Sequence, residues 1–213
     1  MKLYTYYFSS AAFRVRIALN LKGLAYDAAY VHLREGRQFE PDYAALNPAQ
    51  QVPTLDDNGV IVTQSLAIID YLEEVYPQPP LLPAGSAAER ARVRALALTV
   101  ACDIHPLNNL RVLKYLTGEM GLDEAQRNTW YHHWIARGLG GLERLLTTTA
   151  GGGRYCHGDT PSLADICLVP QIFNAQRFKC PLGDYPTVMG IFDACMTLDA
   201  FDAAQPMKQP DAE

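Results

Sequence analysis

No apolar run in this chain is long enough to span a bilayer, so no transmembrane helix is expected. Met1-Lys2-Leu3-Tyr4 lacks the form of a secretory leader and reads as the start of a strand. Basic runs are missing too, and the net charge of −5 argues against a nucleic-acid surface. The five cysteines, at positions 102, 156, 167, 180 and 195, include no C-x-x-C spacing. They are expected to be reduced thiols of a cytoplasmic protein, not a zinc site or a disulfide framework. Gly151-Gly152-Gly153 lacks the Gly-Lys-Ser/Thr continuation that a phosphate cradle needs. His132 and His133 are adjacent, would point apart on a helix, and are read as solvated side chains. There are no internal repeats. These absences leave a soluble globular chain with no expected metal, membrane or nucleic acid.

What is present is organised around residues 51–72. Thr54-Leu55 and Val60-Ile61-Val62 are short β-type runs separated by Asp56-Asp57-Asn58-Gly59. Asn-Gly between such runs is a strong hairpin signal, because both positions tolerate positive φ. Gln64 and Ser65 follow, and Ala67, Ile68, Tyr71 and Leu72 then recur at helical spacing. A strand therefore runs into a helix with Ser65 at or near its N-cap. The free N–H groups of such a helix start suit a carboxylate, although capping alone is the commoner fate of a serine there. Val52-Pro53 stands directly before the first run. A cis peptide at that proline would turn the Val52 backbone outward.

Before this stretch, residues 2–8 read as an aromatic-rich first strand and Ser9-Ser10-Ala11-Ala12 as a small-residue turn. Phe13 to Lys22 reads as a helix stopped by Gly23, and residues 26–33 as a second strand. The order β-α-β, irregular segment, β-β-α matches a thioredoxin-like α/β domain over residues 1–80. Pro77, Pro79, Pro80 and Pro83 form a run that no helix crosses. An all-α domain is expected over 87–213. It would hold one long helix from Glu89 to Tyr115 kinked near Pro106, and a second from Asp123 to Leu146. A buried helix is expected after the capping box Ser162-Leu163-Ala164-Asp165, and one of about ten residues after Pro186. From Gln205 the polar tail is expected to fray.

This architecture, with its internal Val-Pro and Gln-Ser helix start, resembles the cytosolic glutathione transferases. Ser9-Ser10 followed by Arg14-Val15-Arg16-Ile17-Ala18-Leu19 is similar to the zeta-class signature, the class of maleylacetoacetate and maleylpyruvate isomerases. Asn47-Pro48, Gln51-Val52-Pro53, Gln64-Ser65 and the run Cys102 to Asn109 extend the resemblance over nearly the whole chain.

The resemblance implies glutathione as cofactor. Val52, beside Pro53, would pair with its cysteinyl backbone, and Gln64 and Ser65 would hold its γ-glutamyl carboxylate. Gln38 would reach the glycyl end, or else be ordinary loop polarity, and His105 and Asn109 complete the implied set. Ser9 or Ser10 would face the sulfur; a plain capping role remains open for both. Thiolate addition to a conjugated double bond allows rotation, and elimination restores the thiolate, giving cis–trans isomerisation of a maleyl-type diacid. Arg111 and Arg177 would hold the diacid's carboxylates. They raise a geometric difficulty, because Arg111 falls about 200° around a continuous helix from Asn109. Phe8 stands where the family usually has arginine, which removes one carboxylate partner. Ala11 stands where eukaryotic members often have cysteine, which disfavours a glutathione–cysteine relay. The alternatives are a zeta-like transferase acting on α-halo acids or other electrophiles, and a weakly catalytic glutathione-binding protein. A homodimer is implied by the family.

Overall fold

The computed structural model describes residues 1–148 and 150–213. The chain divides into two units, Met1–Leu81 together with Thr197–Glu213, and Leu82–Met196.

The first unit begins with β1 (Lys2–Thr5), α1 (Ser10–Leu21) and β2 (Asp27–Tyr30). It continues through α2 (Pro41–Leu46), β3 (Thr54–Asp57), β4 (Val60–Thr63) and α3 (Ser65–Val75). Sheet order is β2-β1-β3-β4. Leu3 of β1 lies opposite Ala28 in the parallel pair and opposite Leu55 in the antiparallel one. This is the expected thioredoxin-like arrangement. Alternation along β1 and β3 sends Leu3 and Leu55 inward, and both are fully buried with Val15, Leu19, Ile68 and Leu72. The hairpin turns at Asn58 (φ 54°) and Gly59 (φ 92°), and Gly59 N–H donates to Asp56 Oδ1 at 2.8 Å. β1 and β2 are both shorter than the runs 2–8 and 26–33 suggested. β1 stops at Thr5 because the carbonyl of Tyr6 already accepts from Ser9 N–H at 3.0 Å, opening the turn into α1.

The tail is the main correction in this unit. Residues 197–213 were expected to belong to the helical domain and to fray from Gln205. Instead, the short helix α9 (Asp199–Asp202) packs on α1, and Phe201, Ala204 and Pro206 are buried. Asn20 Nδ2 donates to Ala200 O at 3.0 Å, and Arg16 Nε donates to Ala204 O at 3.1 Å. Polar composition concealed three apolar anchors whose burial holds the segment down.

The second unit contains α4 (Ala87–Leu98), α5 (Leu110–Gly118), α6 (Glu124–Thr148), α7 (Leu163–Arg177) and α8 (Pro186–Met196). The expected single kinked helix from Glu89 to Tyr115 is broken more thoroughly than a kink. A π-helical stretch, Thr99–Ile104, passes into a 3₁₀ turn, His105–Asn108, before α5 begins. Pro106 lacks the N–H an α-helix needs, and Asn109 leaves the helical region (φ −66°, ψ 148°). α6 buries Tyr131, Ile135, Leu139, Leu142 and Leu146 along one face, while Leu145 is exposed. α7 starts at the Ser162–Asp165 capping box and is buried along most of its length. No helix among the described residues is long and apolar enough to cross a membrane.

Candidate active site

In the first unit, the turn from β1 to α1 carries both serines. Ser9 is the N-cap of α1, and its Oγ accepts from Ala12 N–H at 3.2 Å. Capping uses a lone pair, so the hydroxyl proton of Ser9 can still be donated to another group. Ser9 is half-buried, whereas Ser10 is buried inside the first turn.

Phe8 precedes them at the edge of an aromatic cluster formed by Tyr6, Tyr7, Val31, Tyr43 and Val52. Its ring lies 4.2 Å from that of Tyr7, and the Arg34 guanidinium stands 5.2 Å above its face. Burial first, and then the neighbouring Tyr7, hold the Tyr6 phenol well above its usual range, so it stays neutral at physiological pH.

Val52 belongs to the same cluster, and the Val52–Pro53 peptide is cis. Among the described residues neither the N–H nor the C=O of Val52 is hydrogen-bonded. The preceding carbonyl, by contrast, is fully engaged: Gln51 O accepts from Tyr43 Oη at 2.6 Å and from Asn47 Nδ2 at 2.8 Å. That explains Asn47-Pro48 in the motif, as a brace for the segment that presents Val52.

α3 starts next to the expected cap position, with Ser65 one residue inside it. Gln64, not Ser65, is the N-cap; it adopts φ 70° and ψ 121°, and its side chain caps nothing. A non-glycine residue at positive φ costs on the order of 1 kcal/mol or more, so the surroundings enforce it. Ser65 is the first helical residue, is buried, and its Oγ receives Arg14 Nη1 at 3.4 Å. The first-turn N–H groups of α3, with no side-chain cap, and the Ser65 hydroxyl are donors of the kind that suit an anion.

Gln38, in the 3₁₀ turn Arg37–Phe39, is buried, and its Oε1 has no partner among the described residues. An exposed loop glutamine would have water; a buried acceptor left unmatched calls for a donor. These unpaired groups fit a peptide ligand with an amide backbone and a carboxylate.

In the second unit, His105 opens the 3₁₀ turn and is half-buried. Asn109 is the N-cap of α5, its Oδ1 accepting from Arg111 N–H at 3.1 Å. The 200° difficulty therefore does not arise, because Asn109 and Arg111 are not on one continuous helix. Arg111 is exposed in the first turn of α5. Arg177 is the last residue of α7, also exposed, with its guanidinium 5.0 Å from the Phe178 ring centroid.

Comparison with known proteins decides the family. Residues 3–80 match the family model for the glutathione S-transferase N-terminal domain. The chain is 51% identical over 212 residues to the probable maleylacetoacetate isomerase of Vibrio cholerae, covering 99% of this chain and 97% of that protein. It is 50% identical to the maleylpyruvate isomerase of a Ralstonia species, with both chains covered completely. The holo structure of a maleylpyruvate isomerase, described as a bacterial zeta-class glutathione S-transferase, superposes with a TM-score of 0.97 at 49% identity, each chain fully covered. The chain belongs to the zeta-class glutathione S-transferases. A maleylacetoacetate isomerase from Methylobacterium extorquens, with bound malonate and glutathione, matches this zeta-class chain at a TM-score of 0.96 and 44% identity, again over both full lengths.

Three residues of this zeta-class chain near the serine turn escaped the sequence reading. Arg14 was visible in the Arg-Val-Arg run, but its partner Ser65 lies 51 positions away. Arg34 sits in a polar loop with nothing local to link it to Phe8. Asp211, whose Oδ2 accepts from Tyr7 N–H at 3.0 Å, lies in the tail that was read as frayed.

Proposed function

We propose that this zeta-class protein is a glutathione-dependent cis–trans isomerase of maleyl-type diacids, producing the fumaryl isomer. The observation that carries the reading is the Val52 segment, whose unpaired N–H and C=O offer an added strand's hydrogen bonds beside the serine turn. Similarity to isomerases over the full length supports the same conclusion.

When bound, glutathione supplies a thiolate that adds reversibly to the conjugated double bond, permitting rotation about it before the thiolate departs. The chain's own residues do the rest. Val52 holds the cysteinyl backbone, and Pro53 fixes the approach of that segment. Gln64, Ser65 and the start of α3 receive the γ-glutamyl carboxylate, and Gln38 accepts a donor at the glycyl end. Ser9 donates its free hydroxyl proton toward the sulfur. A free thiol titrates near about 8.5, so hydrogen bonding to the anion at a helix start raises the thiolate fraction at neutral pH. His105 and Asn109 contribute further polar contacts, and Arg111 and Arg177 bind substrate carboxylates in forked geometry. We expect a cytoplasmic homodimer.

Phe8 favours a second reading, a transferase for α-halo acids or other electrophiles, because it presents an apolar face in the serine turn. Assays with maleylpyruvate, maleylacetoacetate and an α-halo acid, each with and without glutathione, separate the two. Isomerisation that requires glutathione supports the first reading, and conjugation with no isomerisation supports the second.

A further inference from the structure

The Tyr7 backbone, two residues before Ser9, is held at both its N–H and its C=O. Arg16, fully buried in α1, donates from Nη2 to Tyr7 O at 3.1 Å and from Nη1 to Thr5 Oγ1 at 3.1 Å and Tyr6 O at 3.4 Å. On the amide side, Tyr7 N–H donates to Asp211 Oδ2 at 3.0 Å. Glu213 lies 2.8 Å from His32 Nε2 and accepts from the Tyr7 hydroxyl at 3.5 Å. Ala212 packs on the cluster that contains Tyr6, Tyr7 and Val52. Burial pulls the Arg16 guanidinium down to about 10, and Asp211 is among the groups that oppose this.

Simple anchoring of the tail needs only apolar groups, and Phe201, Ala204 and Pro206 already provide them upstream. Asp211 and Glu213 instead direct carboxylates at Tyr7, on the chain leading into the serine turn. We propose that residues 211–213 form a clasp that sets the orientation of the Ser9 hydroxyl, with Asp211 as a positioning residue for the isomerase reaction. The inference rests on the function proposed above. Its physical basis is steep angular dependence: turning the Tyr7 backbone reorients the β1–α1 turn, and a hydroxyl-to-sulfur hydrogen bond weakens quickly out of line. Misplacement by about 1 Å can cost on the order of a hundredfold in rate.

The test compares wild type, Asp211→Ala and Asp211→Asn by hydrogen exchange, by ultraviolet titration of the bound glutathione thiol, and by steady-state kinetics. In Asp211→Ala, amides of residues 7–13 should exchange about tenfold faster while those of α3 stay unchanged. The bound thiol pKa should rise by about one unit and kcat fall about tenfold. Glutathione affinity measured at a pH well below the bound thiol pKa, where the thiol stays protonated free and bound, should change by less than about twofold, because Val52, Gln64 and Ser65 are untouched. Asp211→Asn keeps an acceptor oxygen and should restore most of each value. Wild-type thiol pKa and kcat in Asp211→Ala, whatever its melting temperature, would overturn the clasp. So would an Asn variant as impaired as the Ala variant. If Asp211→Ala does not fold, Glu213→Ala must move the same readings in the same direction by a smaller factor, and no movement overturns the proposal. A wild-type protein that binds no glutathione removes the functional reading and the clasp together. One that binds and turns over, with unaffected variants, removes the clasp alone.

Discussion

Ser65 and Phe8 carry the sharpest single-residue consequences. Because Gln64 is the N-cap of α3, Ser65 can be truncated without losing a cap. Among the described residues its hydroxyl meets only Arg14, at 3.4 Å, a long contact. Ser65→Ala should therefore leave stability within about 1 kcal/mol of wild type. Glutathione binding should weaken by roughly 1.5–3 kcal/mol, the range for a hydrogen bond to a charged group. Calorimetric titration alongside thermal melting reads both; unchanged affinity would remove Ser65 from the carboxylate site. Phe8→Arg should raise kcat/KM for the diacids about tenfold by adding a carboxylate partner. It should also lower the melting temperature, because the ring leaves its tilted contact with Tyr7 and a second guanidinium meets Arg34. A variant that melts lower with no gain in kcat/KM would mean that this position does not contact substrate. The serine turn, the Val52-Pro53 step and the Gln64-Ser65 helix start were legible because turn residues, a proline and a strand-to-helix change of period each leave a local mark in the sequence. Gln38 was ambiguous, since a loop glutamine gives no local sign of burial.

At the scale of elements, helix starts govern most of this molecule's chemistry and much of its stability. α1 begins at a serine cap and α3 at a strained glutamine, and α5 begins at Asn109 after the π and 3₁₀ stretches. α7 begins at the box in which Asp165 accepts from Ser162 N–H, Ser162 Oγ and Cys156 N–H, each at 2.8 Å. Burial raises the Asp165 carboxyl above its usual range, with these donors opposing the shift. Asp165→Ala removes a cap, worth about 1 kcal/mol, and leaves a buried N–H unmatched, worth about 1–3 kcal/mol. Chemical denaturation should thus show a loss of roughly 2–4 kcal/mol, and a loss below about 1 kcal/mol would contradict this account of α7. The Ser162–Asp165 capping box and the extent of α6 could be read from spacing alone. The break between α4 and α5 could be read only as a kink, because no local residue pattern distinguishes a π-helical stretch from an α-helix.

For the whole molecule, the main order of strands and helices was legible, but α2 lies within the segment read as irregular and the path of the tail was not legible. Periodicity of two followed by periodicity of 3.6, with a proline run between, separates a mixed sheet from a helical region. The tail offered no such period. Its attachment depends on Phe201, Ala204 and Arg16, and the arginine lies 188 positions from the carbonyl it reaches. The central claim concerns what the chain does to its substrate and what happens to glutathione in the process. Proton NMR of maleylpyruvate or maleylacetoacetate, run with the enzyme and glutathione at a small fraction of the substrate concentration, follows both together. The account predicts complete conversion of the cis to the trans signal while the glutathione resonances keep their intensity. Conversion that stops when glutathione is exhausted, with a stable thioether appearing in step, would contradict it.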